Sequence, residues 1–240
     1  MSPEEARERL ALAADLPLLE AEALYARVAP FVGTVKVGLS LYVEHGPAAV
    51  RAFTRRGARV FLDLKLHDIP NTVNLACRAA AELGVSWLTV HAQGGAEMLR
   101  AAVAGAREGA ASRGVAAPRI LGVTVLTSLG DADLAQMGLP MPASEYAARL
   151  ARFAIGAGAD GVVCSPLEVA ALRSALPAGV VLCAPGIRPA GVAAGDQART
   201  ETPAFAIRSG SDLLVVGRAI YAAGDPLAAA RAVHAEMCAA

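Results

Sequence analysis

Lysine is almost missing from this sequence: of 22 basic residues, 20 are arginine and only Lys36 and Lys65 are lysine. Wherever a generic cation suffices, the chain carries arginine. The two exceptions point to positions where guanidinium will not serve, since an ammonium gives up and recovers a proton near neutral pH and guanidinium effectively does not. Both lie inside apolar, strand-like segments. Aromatic residues are also few, 4% against 55% hydrophobic overall, so Ala, Val and Leu have to build the core. Net charge is zero, which excludes the broad electrostatic footprint of a nucleic-acid or anionic-membrane binder but leaves room for a local phosphate pocket. Cys77, Cys164, Cys183 and Cys238 form no CxxC pair and read as reduced, mostly buried thiols of a cytoplasmic protein, with no metal or disulfide role. No apolar run approaches ~18 residues without Gly, Pro or charge, so no membrane span is expected. The charged start, Pro3-Glu4-Glu5-Ala6-Arg7-Glu8-Arg9, is not that of an export signal.

What is present is alternation. Short β-like runs at 10–14, 34–37, 60–64, 87–91, 120–125, 161–164, 180–184 and 213–216 are separated by Ala-rich stretches. Those at 48–56, 73–83, 96–105, 143–154 and 167–176 place apolar residues at helical spacing. Eight strand–helix repeats imply a parallel sheet with right-handed crossovers, closing into a (β/α)8 barrel of the TIM type. An open, doubly wound sheet is the alternative. No linker or composition shift divides residues 1–240, so a single domain is expected.

Chemistry in such a barrel sits at the C-terminal ends of the strands. The run beginning Val60-Phe61-Leu62-Asp63-Leu64-Lys65 is apolar except for alternate residues, so Asp63 and Lys65 share one face while Leu62 and Leu64 take the other. Asp68 follows in the loop, and Pro70 is expected to discourage continued regular structure. A salt bridge capping the barrel is the bland reading. Burying ion pairs seldom stabilises a fold, however, and such clusters concentrate at functional sites.

The segment Asp63-Leu64-Lys65-Leu66-His67-Asp68-Ile69-Pro70-Asn71-Thr72 resembles the active-site signature of bacterial orotidine 5′-phosphate decarboxylases. The likeness continues in order through Lys36-Val37-Gly38, Val90-His91-Ala92, the stretch 123–128, Asp160-Gly161-Val162-Val163-Cys164-Ser165, Pro185-Gly186-Ile187-Arg188-Pro189, Gly195-Asp196-Gln197 and Val216-Gly217-Arg218. It covers about residues 10 to 235. The resemblance implies decarboxylation of orotidine 5′-monophosphate to UMP without a cofactor or metal. It makes Lys65 the proton donor and Asp63 the carboxylate beside the leaving group. Asp68 is then lent to a neighbouring subunit, hence a homodimer with shared sites. Lys36 and an N-terminal aspartate grip the ribose and complete the charged chain. That aspartate is Asp15, although the family reads Ala-Leu-Asp where this chain reads Ala11-Leu12-Ala13-Ala14-Asp15. Thr72 counts among the substrate-binding residues.

Loops seven and eight of such barrels form a recurrent phosphate cradle. Here they carry Pro185, Arg188, Gly217 and Arg218, and either arginine offers a fork for phosphate oxygens. The stretch 186–203, rich in Gly and Ala, reads as a lid, and Gln197 within it resembles a phosphate-side contact. Thr127, with Ser128 beside it, offers a hydroxyl to a pyrimidine edge, unless the pair only caps a turn. His67 and His91 read as hydrogen-bonded structural residues. Three competing identities remain. Sugar-phosphate decarboxylases or synthases with a similar Asp-x-Lys-x-x-Asp strand use Mg²⁺ near the end of strand two, where this chain has the opposing cation Lys36. A ribulose-phosphate epimerase needs His/Asp metal pairs of which only fragments exist. A non-catalytic UMP-sensing barrel does not need so tense a charge cluster.

Overall fold

Each of the eight apolar runs forms a strand in the structure, a computed structural model that describes residues 1–189 and 200–240. They are β1 (Leu10–Ala13), β2 (Thr34–Gly38), β3 (Arg59–Leu66), β4 (Trp87–His91), β5 (Arg119–Val123), β6 (Gly161–Val163), β7 (Val181–Ala184) and β8 (Leu213–Val216). All pair in parallel with their sequence neighbours, and β1 also pairs with β8. The sheet closes in the order β1 to β8. This is the expected (β/α)8 barrel, and the open sheet is excluded.

Strand alternation divides the core in two. Ala11, Ala13, Phe61, Leu121, Val181, Cys183, Leu213 and Val215 fill the barrel interior, with Trp87 and Val163 packed against them. Leu10, Leu12, Leu62 and Leu88 point outward under the helices and are fully buried, each contributing roughly 1.5–3 kcal/mol. Small residues at β1 leave space for Phe61, so a barrel poor in aromatics still fills its centre. The four cysteines are free thiols, and burial pushes that of Cys77 up to about 12.

Two sequence expectations needed correction. Pro70 does not end regular structure: it opens the helix Pro70–Glu82, where its missing N–H belongs to the unpaired first turn and its fixed φ is already helical. The helix expected at 96–105 runs on as Gly95–Arg113. Gly105 and Gly109 lie on its buried side, where a Cβ would stand 2.2 Å from the backbone oxygens of Asn74 and Arg78. Close backbone contact with the helix Pro70–Glu82 thus outweighs the roughly 1 kcal/mol that glycine costs inside a helix. Strand ends differ by a residue or two, most at β3, which extends past 64 to Leu66, and β5, which stops at Val123. No helix among the described residues is long and apolar enough to cross a membrane.

Candidate active site

The C-terminal ends of β1, β2 and β3 deliver an ordered run of alternating charges. Asp15 Oδ1 lies 3.3 Å from Lys36 Nζ, Lys36 Nζ lies 3.7 Å from Asp63 Oδ2, and Asp63 Oδ2 accepts from Lys65 Nζ at 2.8 Å. The barrel register explains the sequence of charges. Lys36 pairs across to Phe61, one pleat below Asp63, while Ala13 at the end of β1 pairs with Lys36. Gly38 makes the room, since a Cβ there would sit 2.9 Å from Lys36 Nζ and 3.1 Å from Asp15 Oδ1.

Asp63 is the group most withdrawn from water, at 8% exposure. Burial pushes its carboxyl up. The Lys36 and Lys65 ammoniums, with hydrogen bonds from Lys65 and Thr89, outweigh that and hold it below the ordinary carboxylate value. Asp63 is therefore ionised at neutral pH. The second oxygen, Oδ1, accepts from the Thr89 hydroxyl at 2.9 Å, and the same hydroxyl accepts the Lys65 backbone N–H at 2.9 Å. Lys65 itself is the one non-glycine residue described with a positive φ, 49°, and the β3–β4 register shifts between Leu62 and Leu66. A lysine in the left-handed region costs on the order of 1–3 kcal/mol, and persists only where surrounding contacts over-determine it.

These groups line one wall of a cavity of about 450 Å³, a size typical of small-molecule sites. Thr127, beyond β5, lines it as well, whereas Ser128 does not. Pro185 and Arg188 reach it from the loop after β7, and Gly217 and Arg218 from the loop after β8. Among the described residues, four cations against two carboxylates, Asp15 and Asp63, leave the lining with a positive excess. The floor is apolar, formed by Ala13, Phe61, Val123, Val163 and Val215.

Two predicted residues stand apart from this chain's own cavity. Asp68 and Thr72 are exposed and do not line it, and the Asp68 carboxylate accepts the Ile69 N–H at 2.7 Å. Gln197 and most of the stretch read as a lid lie outside the described residues. His67 and His91 are in ring contact at 5.4 Å. The structural hydrogen bond expected of His91 is not made at Nδ1, which is buried and has no partner among the described residues. Burial, followed by His67 and Lys65, lowers the His91 pKa, so the ring is neutral. Among the described residues no three His, Cys, Asp or Glu side chains come together as a metal-holding set.

Sequence reasoning missed two residues. Thr89 was hidden because a threonine on an apolar strand looks like ordinary β-structure; its place two residues before His91, on the interior face, was the available signal. Tyr221 lines the cavity on the short helix Arg218–Tyr221, its ring 3.5 Å from where a Cβ on Gly217 would stand. Burial, then the nearby Asp15 carboxylate, raises its hydroxyl pKa.

A closed barrel with an ionised acid–lysine run and two arginine-bearing loops at the mouth defines the class: a β/α-barrel enzyme acting on a small molecule at the C-terminal face. Comparison with known proteins narrows this to one family. The chain belongs to the orotidine 5′-phosphate decarboxylase / HUMPS family, whose model matches residues 8–233. It is 57% identical over 229 residues to the orotidine 5′-phosphate decarboxylase of Anaeromyxobacter sp. (strain K), covering 95% of this chain and 97% of that protein. With the one from Moorella thermoacetica it shares 51% over 234 residues, 97% of this chain and 93% of the other. The crystal structure of orotidine 5′-phosphate decarboxylase from Lactobacillus acidophilus superposes with a TM-score of 0.84 at 38% identity, covering 95% of this chain and 98% of that one.

The ionisation of Asp63 has a measurable consequence. A carboxyl held below its unfolded value contributes stability that is fully present above that value and is lost as pH falls through the folded one. The stability difference between wild type and Asp63→Asn, from denaturant unfolding, is expected to be constant between about pH 7 and pH 5 and to shrink below about pH 4. A difference that grows on acidification would contradict the assignment.

Proposed function

We propose that this chain converts orotidine 5′-monophosphate to UMP and CO₂ without a cofactor, in the pyrimidine biosynthesis of the cytoplasm. The observation that carries the reading is the Asp15–Lys36–Asp63–Lys65 run, with its one deeply buried carboxylate held ionised between two ammoniums.

The chemistry needs such a run. When the C6–carboxylate bond breaks, its electron pair stays in an sp² orbital on C6, outside the ring π-system, and no cofactor delocalises it. The required lowering of the barrier lies near the upper end of roughly 8–23 kcal/mol. Charge fixed beforehand at the place where charge develops supplies most of it. Lys65 stands as that charge, and transfers a proton from Nζ to C6 as CO₂ departs. The resulting amine regains its proton from solvent. Asp63 fixes the direction of the ammonium and places negative charge beside the departing carboxylate. Lys36 and Asp15 hold the ribose hydroxyls. Arg188 and Arg218, with the backbone at Gly217, take the phosphate, and Pro185 and Thr127 complete the pocket, Thr127 at the pyrimidine edge. Gln197 is assigned to the phosphate side. Lys36 at the end of β2 opposes a metal cation at that place, which favours this reaction over those of Mg²⁺-dependent relatives.

The second half of the proposal is a homodimer with shared sites. Asp68 and Thr72 lie outside their own cavity; the exposed apolar side chains Ile69 and Leu75 stand next to them in sequence, and Leu39 and Val43, also exposed, follow the neighbouring strand β2. A pairing that covers these side chains would carry Asp68 and Thr72 into the partner's cavity.

Turnover is read from the ultraviolet absorbance of orotidine monophosphate with chelator-treated protein. Wild type is expected to be active and Lys65→Ala inactive. Lys65→Arg should keep under about a tenth of the activity, because arginine does not release its proton. A more active arginine variant would remove the proton-donor role.

Mixing tests the shared site. Once subunit exchange is shown by mass spectrometry of tagged chains, inactive Lys65→Ala and inactive Asp68→Asn should restore about a quarter of wild-type activity, since about half the dimers are mixed and each has one intact site. No recovery after exchange would place Asp68 in its own subunit's chemistry.

A further inference from the structure

The reacting groups are held by a residue that does not line the cavity. Thr89 sits mid-strand on β4, fully buried, on the face that also carries Trp87 into the barrel interior. Its hydroxyl joins Asp63 and Lys65: it donates to Asp63 Oδ1 and accepts from the Lys65 backbone N–H, each at 2.9 Å. The second contact falls where β3 departs from regular pairing, between Leu62 and Leu66, and where Lys65 takes its φ of 49°. A bulge in a strand displaces a backbone N–H from the ladder and re-aims a side chain, and the displaced donor has to find another acceptor. Here the acceptor is a side chain of the neighbouring strand.

We propose that Thr89 is a positioning residue for the decarboxylation: its hydroxyl clamps the bulge that aims Lys65 and fixes the rotation of the Asp63 carboxylate. Valine has the same shape and no hydroxyl. In its presence the buried Asp63 oxygen and the part-buried Lys65 N–H both lose this partner, which is costly. The cheapest relief is for 64–66 to shift until the Lys65 N–H finds another acceptor, and that movement takes the Lys65 ammonium from its place 2.8 Å from Asp63. Serine keeps the hydroxyl and should keep the clamp. Thr89 is remote in the barrel from the loops after β7 and β8, so removing it should spare binding through Arg188 and Arg218 and act on the chemical step.

The kinetic part of this inference rests on the decarboxylase reading; the structural part does not. Thr89→Val and Thr89→Ser are to be compared with wild type by steady-state kinetics on orotidine monophosphate and by amide hydrogen exchange. For Thr89→Val, kcat is expected to fall at least about tenfold with KM within about threefold, the signature of an interaction used after binding. Thr89→Ser should stay within about threefold of wild type in both. The Lys65 amide should exchange at least about tenfold faster in Thr89→Val while amides of β1 and β7 keep their protection. Should the valine variant fail to fold, Thr89→Ala carries the same expectations. An inactive wild type would sink the decarboxylase reading, and the Lys65 amide alone would then decide whether Thr89 holds the bulge. A Thr89→Val enzyme with unchanged kcat, an unaltered Lys65 amide, or a serine variant as impaired as the valine one would each overturn the proposal.

Discussion

The structure turns on one buried carboxylate. Asp63 is nearly sealed from water, and an isolated charge so placed would cost several kcal/mol and be expected to take up a proton. Lys36, Lys65 and Thr89 offset that cost from three directions: along β2, along β3 itself, and from β4. A well-packed apolar triad would give as stable a barrel or a better one. The charged set therefore has its explanation in the proposed reaction rather than in the fold.

Several details of the backbone follow from that constraint. Gly38 is bare so that Lys36 can lie between Asp15 and Asp63. Lys65 adopts the left-handed region so that its ammonium returns to Asp63 on the same strand, and β3 gives up regular register with β4 at that point. The five register pairs of β3 with β2 end at Asp63, so the irregularity falls at the C-terminal end of the strand, past the last residue that β2 pairs. Across the mouth, the loops after β7 and β8 put Arg188 and Arg218 at the opposite end of the cavity from Lys65. The separation of these loops from β3 is set by the closed barrel. In the proposed reaction, this is how binding of a remote phosphate is converted into alignment at C6.

The fold was legible in sequence because parallel barrel strands are buried on both faces and read as short continuous apolar runs. The acid–lysine spacing was legible for a related reason: charges on alternate positions of an apolar strand have no cheap structural explanation. What stayed hidden depends on backbone conformation and on contacts between strands distant in sequence. Nothing in Leu64-Lys65-Leu66 announces a positive φ, and Thr89 looks like any β-branched residue until the register places its hydroxyl beside Asp63. Gly105 reads as a helix end in sequence and is a helix contact in space. Tyr221 was overlooked because an aromatic in a short helix after the last strand looks like packing. Asp15 went the other way: two residues late for the family pattern, it still reaches Lys36, because Ala14 runs on beside β2 with its N–H on the Lys36 carbonyl.

The central claim is that fixed positive charge at Lys65 stabilises a C6 carbanion and exchanges a proton with it. Microscopic reversibility gives the most direct measurement, which needs no substrate carboxylate: loss of the C6 proton of UMP in D₂O, followed by proton NMR. Wild type should accelerate replacement of that proton by deuterium, leaving C5 untouched, and Lys65→Ala should lose the acceleration. Exchange at C6 that is equally fast in Lys65→Ala, or no faster with wild type than in buffer alone, would contradict the account.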